Sequence, residues 1–358
     1  MSRKHFSWLL FATFLVGAVV MILPQHTGKD EVPESGLLLP GLEDKVNEVN
    51  WLRLTGAGNQ TIVTLQREND LWTVEEASGY RADWESLRNL LSGLAQARIV
   101  EPKTANPEYY ERLGVEGVSS ESAAGVRVEF AADTGLPAVI VGNKARGRSG
   151  QYVRLADSDA SALIDTALDV PVERSSWLDQ SIIDISEAEV VDVEITHADG
   201  ELIEATRVSA EDEDFQLQNL PDGRTVKSNW TVNGLANVLA DLSMDEVKPQ
   251  DSLVWEDAAR LSLLTADGLQ VAVQLIQQAA RQESSTPEFW IRLEAGLFTT
   301  ALGTPAGSEE ANEETRKRAE EINNRTRGWA YRIPQYKYKA MTPKMEDLLE
   351  VNDEPPSL

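Results

Sequence analysis

The stretch of this sequence that most resembles a chemical motif is Gly142-Asn143-Lys144-Ala145-Arg146-Gly147-Arg148-Ser149, which falls on the G-x-x-x-x-G-K-[ST] spacing of a phosphate-binding loop. Such a loop needs a lysine that reaches the phosphates and a helix opening behind it, whose free amides add positive potential. Here Arg148 stands at the lysine position, and Tyr152-Val153-Arg154-Leu155 follows with strand-like alternation. The stretch therefore reads as a basic hairpin tip and no nucleotide is expected. Lys144, Arg146 and Arg148 still make a local positive cluster on a very acidic chain. They are candidate contacts for an anionic partner or lipid headgroup, set against the plainer reading of solvated turn charges.

The other chemistry-bearing residues do not assemble into a recognisable constellation. His197 is the one histidine outside the first 26 residues, and a lone histidine makes neither a triad nor a metal site. Glu211-Asp212-Glu213-Asp214 offers oxygens to a hard cation but lacks the glycine that turns a calcium loop, so a solvated loop is expected. With 59 acidic residues, carboxylate pairs suited to acid–base hydrolysis are too abundant for any one to be singled out. With no cysteine, disulfides, thiolate nucleophiles and cysteine-ligated metals are excluded. No catalytic residue, cofactor or metal is expected. The closing segment is the most partner-like: Trp329, Tyr331, Arg332 and Tyr336 are candidate contacts, because aromatic and arginine side chains are enriched at interface hot spots. Completion of a sheet would instead place those aromatics in a core, and this second reading is favoured.

The elements that would carry these residues begin with a charge-free run, Phe6–Leu23, spanning roughly 27 Å as a helix and ended by Pro24. Residues 1–24 are expected to be a cytoplasmic tip and a single transmembrane helix. Arg3 and Lys4 before it, with acidic residues after it, put the N-terminus in the cytoplasm and the body in the periplasm of a bacterial inner membrane. The run is longer than a signal-peptide core and leaves through Met21-Ile22-Leu23-Pro24-Gln25, so retention is favoured over cleavage. A net charge of −26 argues against sequence-independent nucleic-acid binding.

After a linker at 25–41, the chain repeats a pattern of strands and a leucine-rich helix. The strands Val49–Thr55, Thr61–Gln66 and Leu71–Val74 precede a helix over Arg81–Ala97. The strands Val191–Thr196, Glu201–Val208 and Phe215–Gln218 precede a helix over Ser228–Asp241. Further on, Val126–Phe130 and Val139–Val141 match Leu261–Leu264 and Val271–Val273, and Tyr152–Leu155 matches Trp290–Leu293. The expected fold is α+β: the transmembrane helix, then two tandem antiparallel sheet-plus-helix units at 42–175 and 176–300. A charged helix and the aromatic-basic segment would fill 301–358.

Trp72-Thr73-Val74, the leucine helix, Tyr110-Glu111-Arg112-Leu113-Gly114-Val115, the Val139–Leu155 hairpin and the closing Gly328-Trp329-Ala330-Tyr331 resemble a bacterial family of domains of unknown function, numbered 4340. The likeness runs from about Trp51 to Leu349. It implies an auxiliary component beside ABC-type export systems of the gliding-motility kind, and brings no catalytic residues. The expected function is a membrane-anchored, non-enzymatic periplasmic accessory or scaffold protein whose partners are the bilayer and ABC-type transporter subunits. The alternatives are a glycan- or envelope-polymer-binding module with Trp51 or Trp255 as a platform, and an acid–base hydrolase.

Overall fold

The computed structural model describes residues 36–207, 213–279, 286–298 and 309–350. The apolar run Phe6–Leu23, most of the linker, His26, Glu211 and Asp212 lie outside them. In chain order the strands are β1 (Gly36–Leu37), β2 (Trp51–Thr55), β3 (Thr61–Glu68), β4 (Leu71–Val74) and β5 (Tyr80–Arg81). Helix α1 (Trp84–Gln96) follows, then β6 (Arg98–Pro102), β7 (Val126–Phe130), β8 (Val139–Lys144), β9 (Gln151–Leu155) and β10 (Ser161–Ile164). The chain continues through β11 (Ser181–Ile183), β12 (Val190–Thr196), β13 (Leu202–Thr206), β14 (Gln216–Leu217), β15 (Leu242–Ser243) and β16 (Glu246–Pro249). Last come β17 (Ala259–Thr265), β18 (Leu269–Gln278), β19 (Glu288–Leu297), helix α2 (Glu309–Thr326) and β20 (Trp329–Arg332).

The described residues divide into two compact units, one of residues 36–70 and 85–172, the other of 71–84 and the described residues between 173 and 350. In the first unit the strands lie in the order β1-β6-β10-β9-β8-β7-β2-β3, and in the second β14-β13-β12-β17-β18-β19-β20-β16. All the pairings are antiparallel. The second unit also holds the small pair β11–β15 and the hairpin β4–β5.

Seven strands follow one plan in both units: β6-β10-β9-β8-β7-β2-β3 corresponds to β16-β20-β19-β18-β17-β12-β13. Strands β7 and β17 and most of β18 alternate because one sheet face is packed, whereas β8 buries Val139, Ile140 and Val141 in succession and all four residues of β10 are buried. In the second unit Val193, Ile195, Leu261, Leu263, Val271, Val273 and Leu275 are buried, while the residues between them are partly or fully exposed.

The α+β expectation is corrected: the described residues are mostly antiparallel strands with few helices. None of those helices is long and apolar enough to cross a membrane. The first leucine helix forms as α1, burying Leu87, Leu90, Leu91 and Leu94 at helical spacing. The second shrinks to one turn at Asn229–Asn233 and a 3-10 turn at Gly234–Asn237. Its Asn229, Thr231, Val232, Asn233, Gly234 and Asn237 are all weak helix formers. Its apolar residues Leu235, Val238, Leu239 and Leu242 are buried all the same. Burial of that pattern was the readable signal, and helical geometry did not follow from it.

Candidate functional site

In the second unit β20 pairs with β19 only at Trp290–Arg332 and Ile291–Tyr331. Among the described residues that edge of β19 has no strand partner beyond Ile291, and unpaired edge amides need another acceptor or donor. Helix α2 supplies one: the Asn323 side chain donates to the Ala295 carbonyl (2.7 Å) and accepts from its N–H (2.9 Å). Gly328, at φ 86°, then turns the chain from α2 into β20 through a conformation that favours glycine, and its carbonyl accepts from the Gln250 N–H at 2.8 Å.

The parting of β19 and β20 leaves a cleft of about 310 Å³, lined chiefly by Gln250, Gln274, Arg292, Glu294, Asn323 and Arg327. Arg292 is held from two sides. Its Nε and Nη2 donate to the Gln274 side-chain oxygen (3.1 and 2.8 Å), and its guanidinium carbon lies 4.6 Å from the Trp255 ring centre. Trp255 is fixed by its Nε1–H donating to the Gln250 carbonyl (3.0 Å) and by packing on a cluster of Leu253, Ile276, Trp290 and Ala330. No carboxylate among the described residues lies within ion-pair distance of Arg292 or Arg327, although Glu294 lines the same cleft. Elsewhere in the unit Arg318, Arg325 and Arg332 each meet a carboxylate at 2.7–3.2 Å.

Strand register relates this site to its counterpart in the first unit. Across the second sheet Thr196, Arg260, Gln274 and Arg292 stand opposite one another. Across the first, the same positions hold Thr55, Arg127, Ile140 and Arg154. This register sets Val139–Val141 against Val273–Leu275, two residues along from the pairing suggested by the sequence.

Arg154 is buried. Its Nε donates to the Val115 carbonyl (2.9 Å), its Nη1 to the Ser158 carbonyl (2.7 Å), and it lies 4.8 Å from the Tyr110 ring centre. Tyr110 and Val115 pack on Ile140 and cover that face. They come from the connector between β6 and β7, which runs from 103 to 125; its counterpart between β16 and β17 runs only from 250 to 258. The longer connector closes over its arginine, whereas the shorter one reaches only far enough to stack Trp255 on Arg292.

The residues singled out by sequence lie elsewhere. Lys144, Arg146 and Arg148 are exposed at the β8–β9 turn, with Arg148 paired to Glu101 at 2.8 Å. The phosphate-loop lookalike is thus a strand–turn–strand and opens no helix. Trp329 and Tyr331 belong to β20, where Tyr331 is fully buried and burial drives its phenol far above the usual range. Arg332 pairs with Glu246 (2.7 Å), and Tyr336 is 67% exposed.

The His197 ring meets the Pro343 carbonyl at 2.7 Å, and Asp214 accepts from Asn229 and Asn233. Trp51 and Trp255 are half-buried with arginines over their rings, so neither presents both faces as a free platform. A second hollow, beside Arg332, is lined by Asp245 and Glu288, but Glu288 already accepts from Trp290 Nε1 at 3.0 Å. Among the described residues no group of three or more histidine, aspartate or glutamate side chains is placed to hold a metal. The pairing of Tyr152–Leu155 with Trp290–Leu293 already sets Arg154 against Arg292. The signal for the cleft was the unequal length of the two connectors.

No curated protein and no solved structure matches the chain. The model of a family described as a domain of unknown function, DUF4340, matches residues 72–258, which take in the hairpin β4–β5, most of the first sheet, the start of the second and Trp255. That match spans more than half of the 358 residues, and the chain belongs to the DUF4340 family.

Proposed function

We propose that this is a non-enzymatic accessory or scaffold protein of the bacterial envelope, attached to the inner membrane, with its two sheet units on the periplasmic side beside an ABC-type transport complex. The observation that carries the reading is a set of aromatic side chains left open in one unit: Trp230 is 84% exposed, Tyr336 67% and Trp84 55%. Tryptophan and tyrosine supply much of the energy at protein interfaces and are costly to leave in water. The apolar run Phe6–Leu23, flanked by Arg3 and Lys4, supports attachment and orientation. The resemblance to auxiliary components of gliding-motility-type export systems supports the choice of partner. The test is purification of the tagged full chain in mild detergent. ATP-binding and permease subunits are expected to co-purify, with recovery falling about tenfold in the Trp230→Ala, Tyr336→Ala double variant. A lone, monodisperse chain overturns the reading.

A further inference from the structure

We infer that the cleft at the β19–β20 fork is a binding site for a small carboxylate of sugar-acid or dipeptide size, received by Arg292 and Arg327. Four observations on the second unit lead there. The hollow, of about 310 Å³, is at the small end of the range of ligand sites. Its two guanidinium groups have no carboxylate partner among the described residues, on a chain of net charge −26. An arginine fork that keeps donors free is suited to a carboxylate, and Arg292 spends only Nε and Nη2 on Gln274, leaving Nη1 without an acceptor among the described residues. The guanidinium is also held in place before any ligand arrives, by Gln274 on one side and the Trp255 ring on the other. Orientation that is already fixed lowers the ordering cost of binding.

The first unit supplies the internal comparison. At the same register position Arg154 is closed in by Tyr110 and Val115, and its donors go to backbone carbonyls. That arginine holds its own unit together. In the second unit the equivalent side chain keeps its stack on an aromatic ring but opens into a hollow, joined by Arg327 from the end of α2 and by Glu294 one turn of the pleat away. Glu294 is an acceptor for the hydroxyl or ammonium groups that a sugar acid or a dipeptide carries beside its carboxylate. The first unit's position is structural and the second is a receptor.

The assignment is independent of the accessory role, because it can be read on the purified chain without any partner. Titration calorimetry would use D-glucuronate, D-galacturonate and alanyl-alanine as probes, D-glucose as the uncharged match and inorganic phosphate as the competing anion. At least one carboxylate is expected to saturate with a dissociation constant below about 1 mM. Glucose and phosphate should bind at least about tenfold more weakly, as should that carboxylate to the Arg327→Gln chain, a fold-change equal to about 1.4 kcal/mol. Arg327 is exposed, so an unchanged melting temperature will show that this variant is folded. Arg292→Lys, which keeps charge but loses the fork, should weaken binding as well. The inference falls if no carboxylate probe saturates, if phosphate binds as tightly as the best carboxylate, or if Arg327→Gln leaves the affinity unchanged.

Discussion

Arg154 donates to the carbonyls of Val115, Leu155, Ala156 and Ser158, whereas Arg292, at the same place in the second sheet, donates to a single side-chain oxygen on Gln274. The two residues are therefore expected to respond differently to one substitution. Arg154→Met leaves the Val115 and Ser158 carbonyls without their donor in a buried place, which should cost about 3 kcal/mol in urea unfolding. Arg292→Met keeps the stem over Trp255 and strands only the amide of a partly exposed glutamine, so about 1 kcal/mol or less is expected. Equal losses would show that the two arginines have the same job. Residue type and repeat spacing alone could not separate them, since both read as the third residue of an aromatic-apolar-Arg-Leu strand. Their difference is set by distant chain, the connector that closes over one and stops short of the other. The exposed basic tip at Lys144, Arg146 and Arg148 was legible for the opposite reason, because a turn depends only on its neighbours.

At the scale of elements, edges and docked segments decide what holds. Helix α2 has a very polar sequence, and its place is fixed by what β19 lacks among the described residues, a strand partner beyond Ile291. Asn323→Ala would free both the N–H and the carbonyl of Ala295, with an expected loss of about 2 kcal/mol and faster hydrogen exchange at the Ala295 amide. Unchanged exchange there would mean that α2 shields the edge without the amide clamp.

The segment 342–350 is docked differently, by a backbone bridge between Leu349 and Val226, by buried Leu348 and Leu349, and by charges on the surface. Lys344 meets Asp199 (2.6 Å) and Glu201 (2.8 Å), and Arg224 meets Glu346 (3.0 Å). Hydrogen bonds to Lys344 lower the carboxyls of Asp199 and Glu201, and a hydrogen bond to Arg224 lowers that of Glu346. A carboxyl with a lowered folded value stabilises docking at neutral pH. That contribution is lost as pH falls through the folded values, below an unfolded value of about 4. Pepsin should then cut near Leu348–Leu349 at about pH 3 and spare it at about pH 5, while the Lys344→Gln chain is cut at both. Cleavage of both chains alike at the higher pH would show that the apolar seat of Leu348 and Leu349, both buried, makes no use of these pairs.

For the whole molecule the strongest regularity is the seven-strand order shared by the two units, and it explains which parts of the fold could be read from sequence. Alternation along β7, β17 and β18 is local, so those strands and their faces were legible, but the correspondence between copies was set two residues out at β8 and β18. Two larger features were not legible either. One is the weak helix at Ser228–Asp241, whose leucines pack in the core without needing helical geometry. The other is the allegiance of β4–β5, which follows β3 in sequence but belongs to the second compact unit.

There Tyr80 meets Trp329 edge-on (ring centres 5.0 Å apart) and Tyr331 (6.1 Å), its hydroxyl donates to the Asp179 carbonyl at 3.2 Å, and Ala82 bridges to Leu178. Arg81 lies 3.5 Å from the Asp179 carboxylate, which Arg325 also meets at 3.2 Å. A fragment of residues 173–350 would therefore lack the aromatic ring that covers β20. Losing a buried aromatic costs about 3–5 kcal/mol, a large share of the stability of a domain this size. Such a fragment is expected to unfold without cooperativity. Joining residues 71–84 to it through a flexible linker should restore a single sharp urea transition, and Tyr80→Ala in the joined fragment should abolish the gain. A sharp transition in the bare fragment would show instead that β20 and α2 complete the unit unaided, and that the hairpin is carried rather than required.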